Sequence, residues 1–289
     1  LGKCYLSTND YEEPHEAIDF ALAIDDSNAE ALTLKAFCYQ QSGELQKSCD
    51  YYLRLAEQQE NKTRAYLALA KTYFEMQDYT SSIYYIEALL DNKDALSKYE
   101  LSELYGDIAL CHAALKHIGV GQASIRRSLE LNENDPDTLI VAGRFFLMEA
   151  KACNDETAKA ENQAKGELYF RQALNLIMED ERLDYLFTIG AACFDTQNFK
   201  LAAQYYEQIN REFPDNAPAT YFFLAYCYFY LEEAISCMHY IAKMKHELPD
   251  AYSNLGTSDS ILSDTRFNEL MRNLKDSVNN GKVDLDNFL

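Results

Sequence analysis

One ladder of apolar and small residues recurs along the chain, and it restricts the fold more than any other feature. The clearest copy has successive spacings of 3, 1, 3, 6, 3, 4, 3 and 5 residues: Leu186, Ile189, Gly190, Cys193, Phe199, Ala202, Tyr206, Ile209 and Pro214. A second copy keeps all eight spacings: Tyr66, Leu69, Ala70, Tyr73, Tyr79, Ser82, Ile86, Leu89 and Asp94. Because residues three and four apart share one face of an α-helix, each copy predicts two amphipathic helices.

A small residue stands at the same place in each predicted helix of the two copies. Gly190 and Ala70 hold this place in the first helix, and Ala202 and Ser82 hold it in the second. Small side chains let two helices cross closely, and residues 195–198 and 77–78 supply a polar turn between them. Each copy therefore predicts a helical hairpin.

The ladder resembles the tetratricopeptide repeat, whose signature is a large residue, Leu-Gly, Tyr, then Ala, Phe and a terminal Pro. Degenerate copies extend the resemblance over about residues 1–250, in seven units. The resemblance implies an all-α fold, an α-solenoid of stacked antiparallel helical hairpins wound into a right-handed superhelix. The seventh unit is expected to have a shortened turn and this ladder: Thr220, Phe223, Leu224, Cys227, Ala234, Met238 and Ile241.

Two segments depart from the repeat. The turn of the fifth unit carries about eleven extra residues near 151–165, and their composition favours lengthened helices over an open loop. They form either a protruding partner contact or a tolerated insertion. Residues 251–289 are expected to form a capping helix from Arg266, N-capped at Ser263 or Asp264, and then a tail. Because the chain starts in the middle of a repeat, we expect further sequence before Leu1.

The charge balance argues against two classes of partner. The chain has 26 basic and 47 acidic residues, a net charge of −21, and no Lys/Arg cluster suited to a phosphate backbone. It also has no run of roughly 18 apolar residues that could cross a membrane. We therefore predict no nucleic-acid binding and no membrane insertion. The acidic field either attracts a basic partner or only keeps the surface soluble.

The eight cysteines do not predict a disulfide framework. Cys4, Cys38 and Cys111 occupy one equivalent place in their repeats, where a small buried thiol would serve packing. Reduced thiols favour the cytoplasm. Cys237 and His239 lie two residues apart on a predicted helix and face different ways, so no metal site is expected. Because no phosphate-binding loop or catalytic motif occurs, we predict no enzyme activity and no cofactor.

The family resemblance implies that the first helix of each hairpin lines a concave groove. The predicted lining is Phe37, Leu67, Lys71, Phe74, Leu110, Ile140, Arg144, Leu147, Phe187, Phe194, Tyr221 and Tyr228. An apolar groove of this kind would hold a peptide or a partner protein, with Lys71 and Arg144 orienting an acidic group. Alternatively, neighbouring repeats or the C-terminal helix cover these side chains. Some family members clamp a terminal carboxylate, but only Lys71 among the corresponding residues fits such a clamp.

The sequence therefore predicts a protein-interaction scaffold. The alternative is a regulatory or accessory repeat region of a larger sensor protein or enzyme whose other domain lies outside this chain. A repeat array can also associate through an uncapped end, so a homodimer through the N-terminal repeat is possible.

Overall fold

The fold is known from a computed structural model that describes residues 12–91, 93, 96–254 and 261–279. The chain divides into two compact units, unit 1 (Leu1–Glu133) and unit 2 (Asn134–Leu289). Every regular element in the described ranges is helical. The prediction of an all-α repeat solenoid is confirmed.

Unit 1 consists of antiparallel hairpins, each packed on the next. Its helices are α1 Glu12–Ile24, α2 Ala29–Gln41, α3 Leu45–Ala56, α4 Lys62–Glu75, α5 Tyr79–Leu90, α6 Lys98–Ala114 and α7 Ile118–Leu131, with a short 3-10 turn at Gln59–Asn61. The hairpins are α2–α3, α4–α5 and α6–α7, and the second helix of one packs on the first helix of the next. One core cluster crosses from α2 and α3 to α4: Leu32, Ala36, Cys49, Tyr52, Leu55, Ala65 and Leu69.

Unit 2 repeats this arrangement with longer helices at its start. Its helices are α8 Pro136–Ala152, α9 Glu156–Leu176, α10 Arg182–Asp195, α11 Phe199–Glu212, α12 Tyr221–Tyr230, α13 Ala234–Glu247, α14 Pro249–Asn254 and α15 Thr265–Asn279, with 3-10 segments at Pro214–Thr220 and Ile261–Ser263. The extra residues near 151–165 lie in α8, a short turn and α9, so the insertion lengthens the helices as its composition predicts.

The helices end and begin at recognisable caps. In five hairpins the first helix is followed by a residue in the left-handed conformation: Gly43, Gln77, Lys116, Gln197 and Glu232. In each turn the backbone N–H groups of this residue and of the one after it donate hydrogen bonds to carbonyls of the preceding helix, as in the bond from Asp78 to Tyr73 at 2.9 Å. The side chains of Asp78 and Asp155 then accept hydrogen bonds in the first turn of the following helix.

The small residues of the ladder lie where two helices cross. A Cβ atom added to Gly143 of α8 would lie 2.6 Å from Cδ1 of Phe170 on α9, and one added to Gly190 would lie 2.8 Å from Cε1 of Tyr206. Larger side chains there would push the helices apart. Because an aromatic ring from the equivalent ladder position occupies the space of the missing Cβ in both hairpins, the ladder and the close crossing have one cause.

An aromatic pair links the two helices in four hairpins. The ring pairs are Tyr39–Tyr51, Tyr73–Tyr85, Phe146–Tyr169 and Tyr228–Tyr240, with centroids 5.5 to 5.9 Å apart. All four pairs are stacked, with interplanar angles between 3° and 26°. Aromatic pairs of this geometry stabilise a fold beyond their buried area. The abundance of tyrosine in the sequence is thus partly a packing feature.

The predicted register of the seventh unit is wrong. Met238, which the prediction placed in the ladder, is exposed, whereas Tyr221, Leu224 and Ala225 are buried. Moving the register by one residue gives all eight spacings of the ladder, without a shortened turn: Tyr221, Leu224, Ala225, Tyr228, Ala234, Cys237, Ile241, Met244 and Pro249. The error arose because α12 carries aromatic rings on every face.

The C-terminal helix packs on the last hairpin. Ile261 and Phe267 are buried, and the ring of Phe267 lies 6.3 Å from that of Phe229 on α12. The expected helix from Arg266 is therefore present as part of α15. The expected tail and the beginning of the first repeat lie outside the described residues, and the boundary at residue 250 and the superhelical handedness remain predictions.

Candidate functional site: the aromatic surface of unit 2

The predicted groove residues fall into two groups. Four of them have buried side chains: Leu110, Ile140, Leu147 and Tyr221. Phe37 and Lys71 are exposed, and the remaining six are half-buried: Leu67, Phe74, Arg144, Phe187, Phe194 and Tyr228. The first four cannot serve as surface contacts for a partner, so the predicted lining needs correction at these positions.

Leu110 and Ile140 are buried because their helices are enclosed. In α6 the four consecutive residues from Ile108 to Cys111 are all buried, although they point to different sides of the helix. Similarly, α8 buries Leu139 and Ile140 together with residues on its other faces. A flanking position therefore does not guarantee exposure in these two helices.

Leu147 and Tyr221 are buried for different reasons. A Cβ atom added to Gly166 would lie 2.9 Å from Cδ2 of Leu147, so the lengthened α9 covers this side chain. Tyr221 belongs to the packing ladder once the register of α12 is corrected. Tyr228 belongs to it as well, and its hydroxyl donates a hydrogen bond to Oε1 of Glu207 at 3.0 Å.

Correcting the register brings a different set of side chains to the flanks of α12. Phe222, Tyr226 and Tyr230 lie four residues apart and therefore share one face of the helix. Phe222 is 39% exposed and Tyr230 is 43% exposed, while Tyr226 is half-buried. Seven of the ten residues of α12 are aromatic and none is charged. This face is therefore an uncharged aromatic strip.

Phe194 of α10 extends the strip onto the neighbouring first helix. Its ring centroid lies 6.3 Å from that of Tyr226, and the ring of Phe222 lies 4.6 Å from that of Tyr226. We call Phe194, Phe222, Tyr226 and Tyr230 the aromatic surface. Burial raises the pKa of Tyr226, which keeps its phenol neutral.

One edge of the aromatic surface is formed by helix ends. The ring of Phe199, at the start of α11, stacks on that of Tyr230, at the end of α12, with centroids 4.4 Å apart. Asp195 ends α10, and Glu232 follows α12. We call this the carboxyl edge, because the carboxyl ends of α10 and α12 meet there and expose Asp195 and Glu232.

Arg266 of α15 lies at the carboxyl edge. Its guanidinium carbon is 5.2 Å from the ring centroid of Phe229 and 5.4 Å from that of Tyr230. Nη2 of Arg266 lies 2.6 Å from Oδ2 of Asp264, and this pairing lowers the pKa of the Asp264 carboxyl. The edge thus combines aromatic rings, carboxylates and a stacked cation.

The cysteines are placed for packing. Burial raises the pKa of Cys49 and Cys111 to about 11, and that of Cys227 and Cys237 to about 12. Thiols with such values stay protonated at neutral pH and are poor nucleophiles. Within the part of the chain that the structure describes, no group of three or more His, Cys, Asp or Glu side chains could hold a metal ion. In the same residues, no helix is both long and apolar enough to cross a membrane.

The sequence contained a signal for the missed residues. Phe222, Tyr226 and Tyr230 are the flanking residues of the register that ends at Pro249, and that register matches every spacing of the two clearest repeats. The match of Leu224-Ala225 to the large-small pair of the ladder would have identified it.

Comparison with known proteins agrees with this architecture. A family model described as tetratricopeptide repeat matches residues 63–94, which contain α5 and all of α4 except its first residue. The chain is similar to the solved structure of PilW, described as a widely conserved type IV pilus biogenesis factor, with 17% identity, 74% of this chain and 90% of that chain covered, and a TM-score of 0.50. It is also similar to PilF of Pseudomonas aeruginosa, with 17% identity, coverages of 74% and 89%, and a TM-score of 0.48.

A third similar structure is the tetratricopeptide-repeat domain of P58(IPK), with 12% identity, coverages of 96% and 97%, and a TM-score of 0.26. No curated protein matches the sequence. The likeness to PilW concerns the fold alone, since the identity is low. The matched repeat, the hairpins that continue the same ladder on both sides of it, and the fold shared with PilW confirm the resemblance to the tetratricopeptide-repeat family.

Proposed function

We propose that the chain holds a partner protein by binding an apolar segment of it on the aromatic surface of unit 2. The repeat fold is that of a non-catalytic protein-interaction scaffold. The predicted groove residues of unit 1 that are not buried, Phe37, Leu67, Lys71 and Phe74, are a weaker candidate, because the exposed Lys71 interrupts their apolar character.

The partial exposure of Phe222 and Tyr230 on one uncharged helix face carries this proposal. Aromatic side chains dominate the energy of protein interfaces, and they are costly to leave in water. Covering the exposed 39% of Phe222 would remove roughly 80 Å² of apolar surface from water. At about 25 cal/mol per Å², that contributes about 2 kcal/mol for one ring.

The test uses short random-sequence peptides displayed on phage and selected against the full chain. Selected peptides are synthesised, and their affinities are measured by calorimetry for the original chain and for the Phe222→Ser variant. We expect the substitution to weaken binding at least about tenfold, because a central apolar contact is lost. Phe37→Ser in unit 1 is the matched control, since Phe37 is also 39% exposed.

Circular dichroism and thermal unfolding establish that both variants are folded before affinities are compared. Equal weakening by Phe37→Ser and Phe222→Ser would contradict the assignment to unit 2. Peptides that bind the Phe222→Ser variant as tightly as the original chain would rule out the aromatic surface as their site.

The N-terminal repeat supports a second proposal, self-association through α1. Phe20 and Ile24 lie four residues apart on this helix and are 71% and 73% exposed. Two large apolar side chains on one face are suited to an interface between copies. Sedimentation across a concentration series tests it: a dimer should form in the original chain and dissociate in the Phe20→Ser variant. A monomer mass at every concentration would reject this proposal.

We also propose that the chain works in the cytoplasm without binding nucleic acid. Among the described residues, seven cysteines are free and six of them are buried, which suits a reducing compartment. The net charge of −21 opposes contact with phosphate backbones. Fluorescence microscopy of the tagged protein tests its location, and a filter-binding assay with single- and double-stranded DNA tests the second part.

A further inference from the structure

We propose that the partner segment bound on the aromatic surface is a basic amphipathic one, with an arginine that lies at the carboxyl edge beside its apolar side chains. This inference rests on the function proposed above and adds the chemistry of the partner. It follows from three features of the carboxyl edge: the direction of the helices, the exposed carboxylates and the position of Arg266.

The helix ends give the carboxyl edge a negative potential. Each hairpin is antiparallel, so α10 and α12 run in the same direction and end on the same side. The ring of Phe194 on α10 lies against that of Tyr226 on α12, and the ring of Phe199, which begins α11, stacks on that of Tyr230 at the end of α12. The last carbonyls of a helix carry a partial negative charge, which favours a cation within the final turn. Two such ends therefore favour a positive group at this edge.

Exposed carboxylates add to this potential. The side chain of Asp195 is 58% exposed, and its ion pair with Nη2 of Arg144, at 3.5 Å, is long and solvent-exposed. Pairs of this kind contribute little free energy and exchange readily. Glu232 and Glu233 are also exposed, and α12 has no charge of its own. An incoming acidic segment would meet like charges, whereas a basic one would meet opposite charges.

Arg266 gives an internal example of the contact. Its guanidinium stacks on the rings of Phe229 and Tyr230 at the same edge and pairs with a neighbouring carboxylate, Asp264. Arginine combines a planar face for stacking with a permanent charge, whereas lysine offers only a hydrated point charge. The opposite end of the strip, at Phe222, is partly exposed and completes the surface for an apolar side chain.

The experiment compares peptides that differ in one charge. Each arginine of a selected peptide is replaced in turn by citrulline, which keeps the shape and planarity of the side chain but removes the charge. We expect selected peptides to be rich in arginine. We also expect one replacement to weaken binding to the original chain about three- to thirtyfold, as loss of a cation–ring contact and its ion pair predicts.

The same peptides are also measured on a variant of the protein that lacks the exposed carboxylates. In the Asp195→Asn, Glu232→Gln variant the carboxylates are removed from exposed positions, so we expect the fold to be retained. The arginine and citrulline peptides should bind this variant with affinities that differ by less than they do on the original chain. A lysine replacement should bind more weakly than arginine, because it keeps charge but loses the stacking face.

The outcomes separate this inference from the proposed function. If binding is lost in the Phe222→Ser variant but is unchanged by citrulline, the aromatic surface remains the binding site and the proposed arginine contact is wrong. Peptides rich in acidic residues overturn it as well. Binding that is indifferent to Phe222→Ser overturns both.

Discussion

The two units use equivalent positions of the same repeat in opposite ways. On α4 of unit 1 the flanking positions hold Leu67, Lys71 and Glu75, whereas on α12 of unit 2 they hold Phe222, Tyr226 and Tyr230. Glu75 accepts a hydrogen bond from Nε2 of Gln40 at 2.7 Å, so the face of α4 includes polar contacts. The corresponding face of α12 consists of aromatic rings. The ladder determines packing in both units, whereas the flanking residues differ in polarity between them.

The crossing of the helices differs as well. Unit 1 has alanine at the small position of its first helices, at Ala36, Ala70 and Ala109. Unit 2 has glycine at two of its three small positions, Gly143 and Gly190, with a large ring filling the space of the absent Cβ. Unit 2 therefore gains aromatic packing inside its hairpins at the cost of tolerance to substitution.

The largest effect is expected from Gly143→Ala. The added Cβ would meet Cδ1 of Phe170 at 2.6 Å and Cζ at 2.9 Å, and Phe170 is fully buried. We expect a loss of about 3 kcal/mol in the free energy of unfolding, measured by urea denaturation. In unit 1, Ala70→Gly should cost only about 1 kcal/mol, from backbone entropy.

A second-site variant sharpens this result. Gly143→Ala combined with Phe170→Leu should lose less stability than the sum of the two single variants, because the smaller side chain makes room for the methyl group. Additive losses would mean that the alanine acts through the backbone and that the ring is not the obstacle.

The comparison of the two units also shows which structural features could be predicted from the sequence. The hairpins, the small positions and the lengthened helices of the fifth repeat were predictable, because each depends on periodicity or composition. The register of α12 was harder, since Tyr221, Phe222 and Phe223 are three successive rings and no polar residue identifies the solvent side. Whether Leu110 is exposed depends on how completely neighbouring helices enclose α6. The sequence of an apolar flanking residue does not reveal this.

A smaller effect is expected at Glu207, which organises the last hairpin of unit 2. Its Oε1 accepts hydrogen bonds from the hydroxyls of Tyr228 at 3.0 Å and Tyr240 at 2.6 Å. Glu207→Ala leaves both phenols without their acceptor and should cost about 2 kcal/mol of unfolding free energy. Thermal and urea denaturation of the variant measure the loss.

The matched change in unit 1 is Tyr85→Phe. The ring pair of Tyr73 and Tyr85 occupies the place of Tyr228 and Tyr240, and the substitution retains the ring. We expect a loss of less than about 1 kcal/mol. If Tyr85→Phe lowered the unfolding free energy more than Glu207→Ala, the hairpin of unit 1 would depend more on its tyrosine hydroxyl contacts than that of unit 2.

The turns should respond alike in the two units. Gln77 in unit 1 and Gln197 in unit 2 have φ angles of 61° and 62°, a conformation that costs an L-residue roughly 1 to 2 kcal/mol. Because glycine also gains freedom in the unfolded chain, each change to glycine should raise the unfolding free energy by only about 0.5 to 1 kcal/mol. Gly43→Gln, at the equivalent turn with no atom near the new Cβ, should lower it by a similar amount. Unequal gains at Gln77 and Gln197 would show that the turns differ too.

The smallest effect is a pH dependence that arises from His112 of unit 1, which occupies the place of Phe146 and Tyr228. Burial lowers the pKa of His112 from its ordinary value of 6.5, and the positive charge of His117, whose ring centroid is 5.7 Å away, lowers it further against the opposing charge of Glu87. The unfolded chain therefore takes up the proton first as the pH falls. This contribution to stability is complete above the unfolded pKa and decreases as the pH falls below 6.5 towards the folded pKa.

In the His112→Phe variant, urea denaturation should show a smaller loss of stability between about pH 7.5 and about pH 5.5 than in the original chain. His246→Asn, which removes an exposed imidazole from unit 2, is the control. Identical pH profiles for the original chain and His112→Phe would mean that His112 has the same pKa in the folded and the unfolded chain.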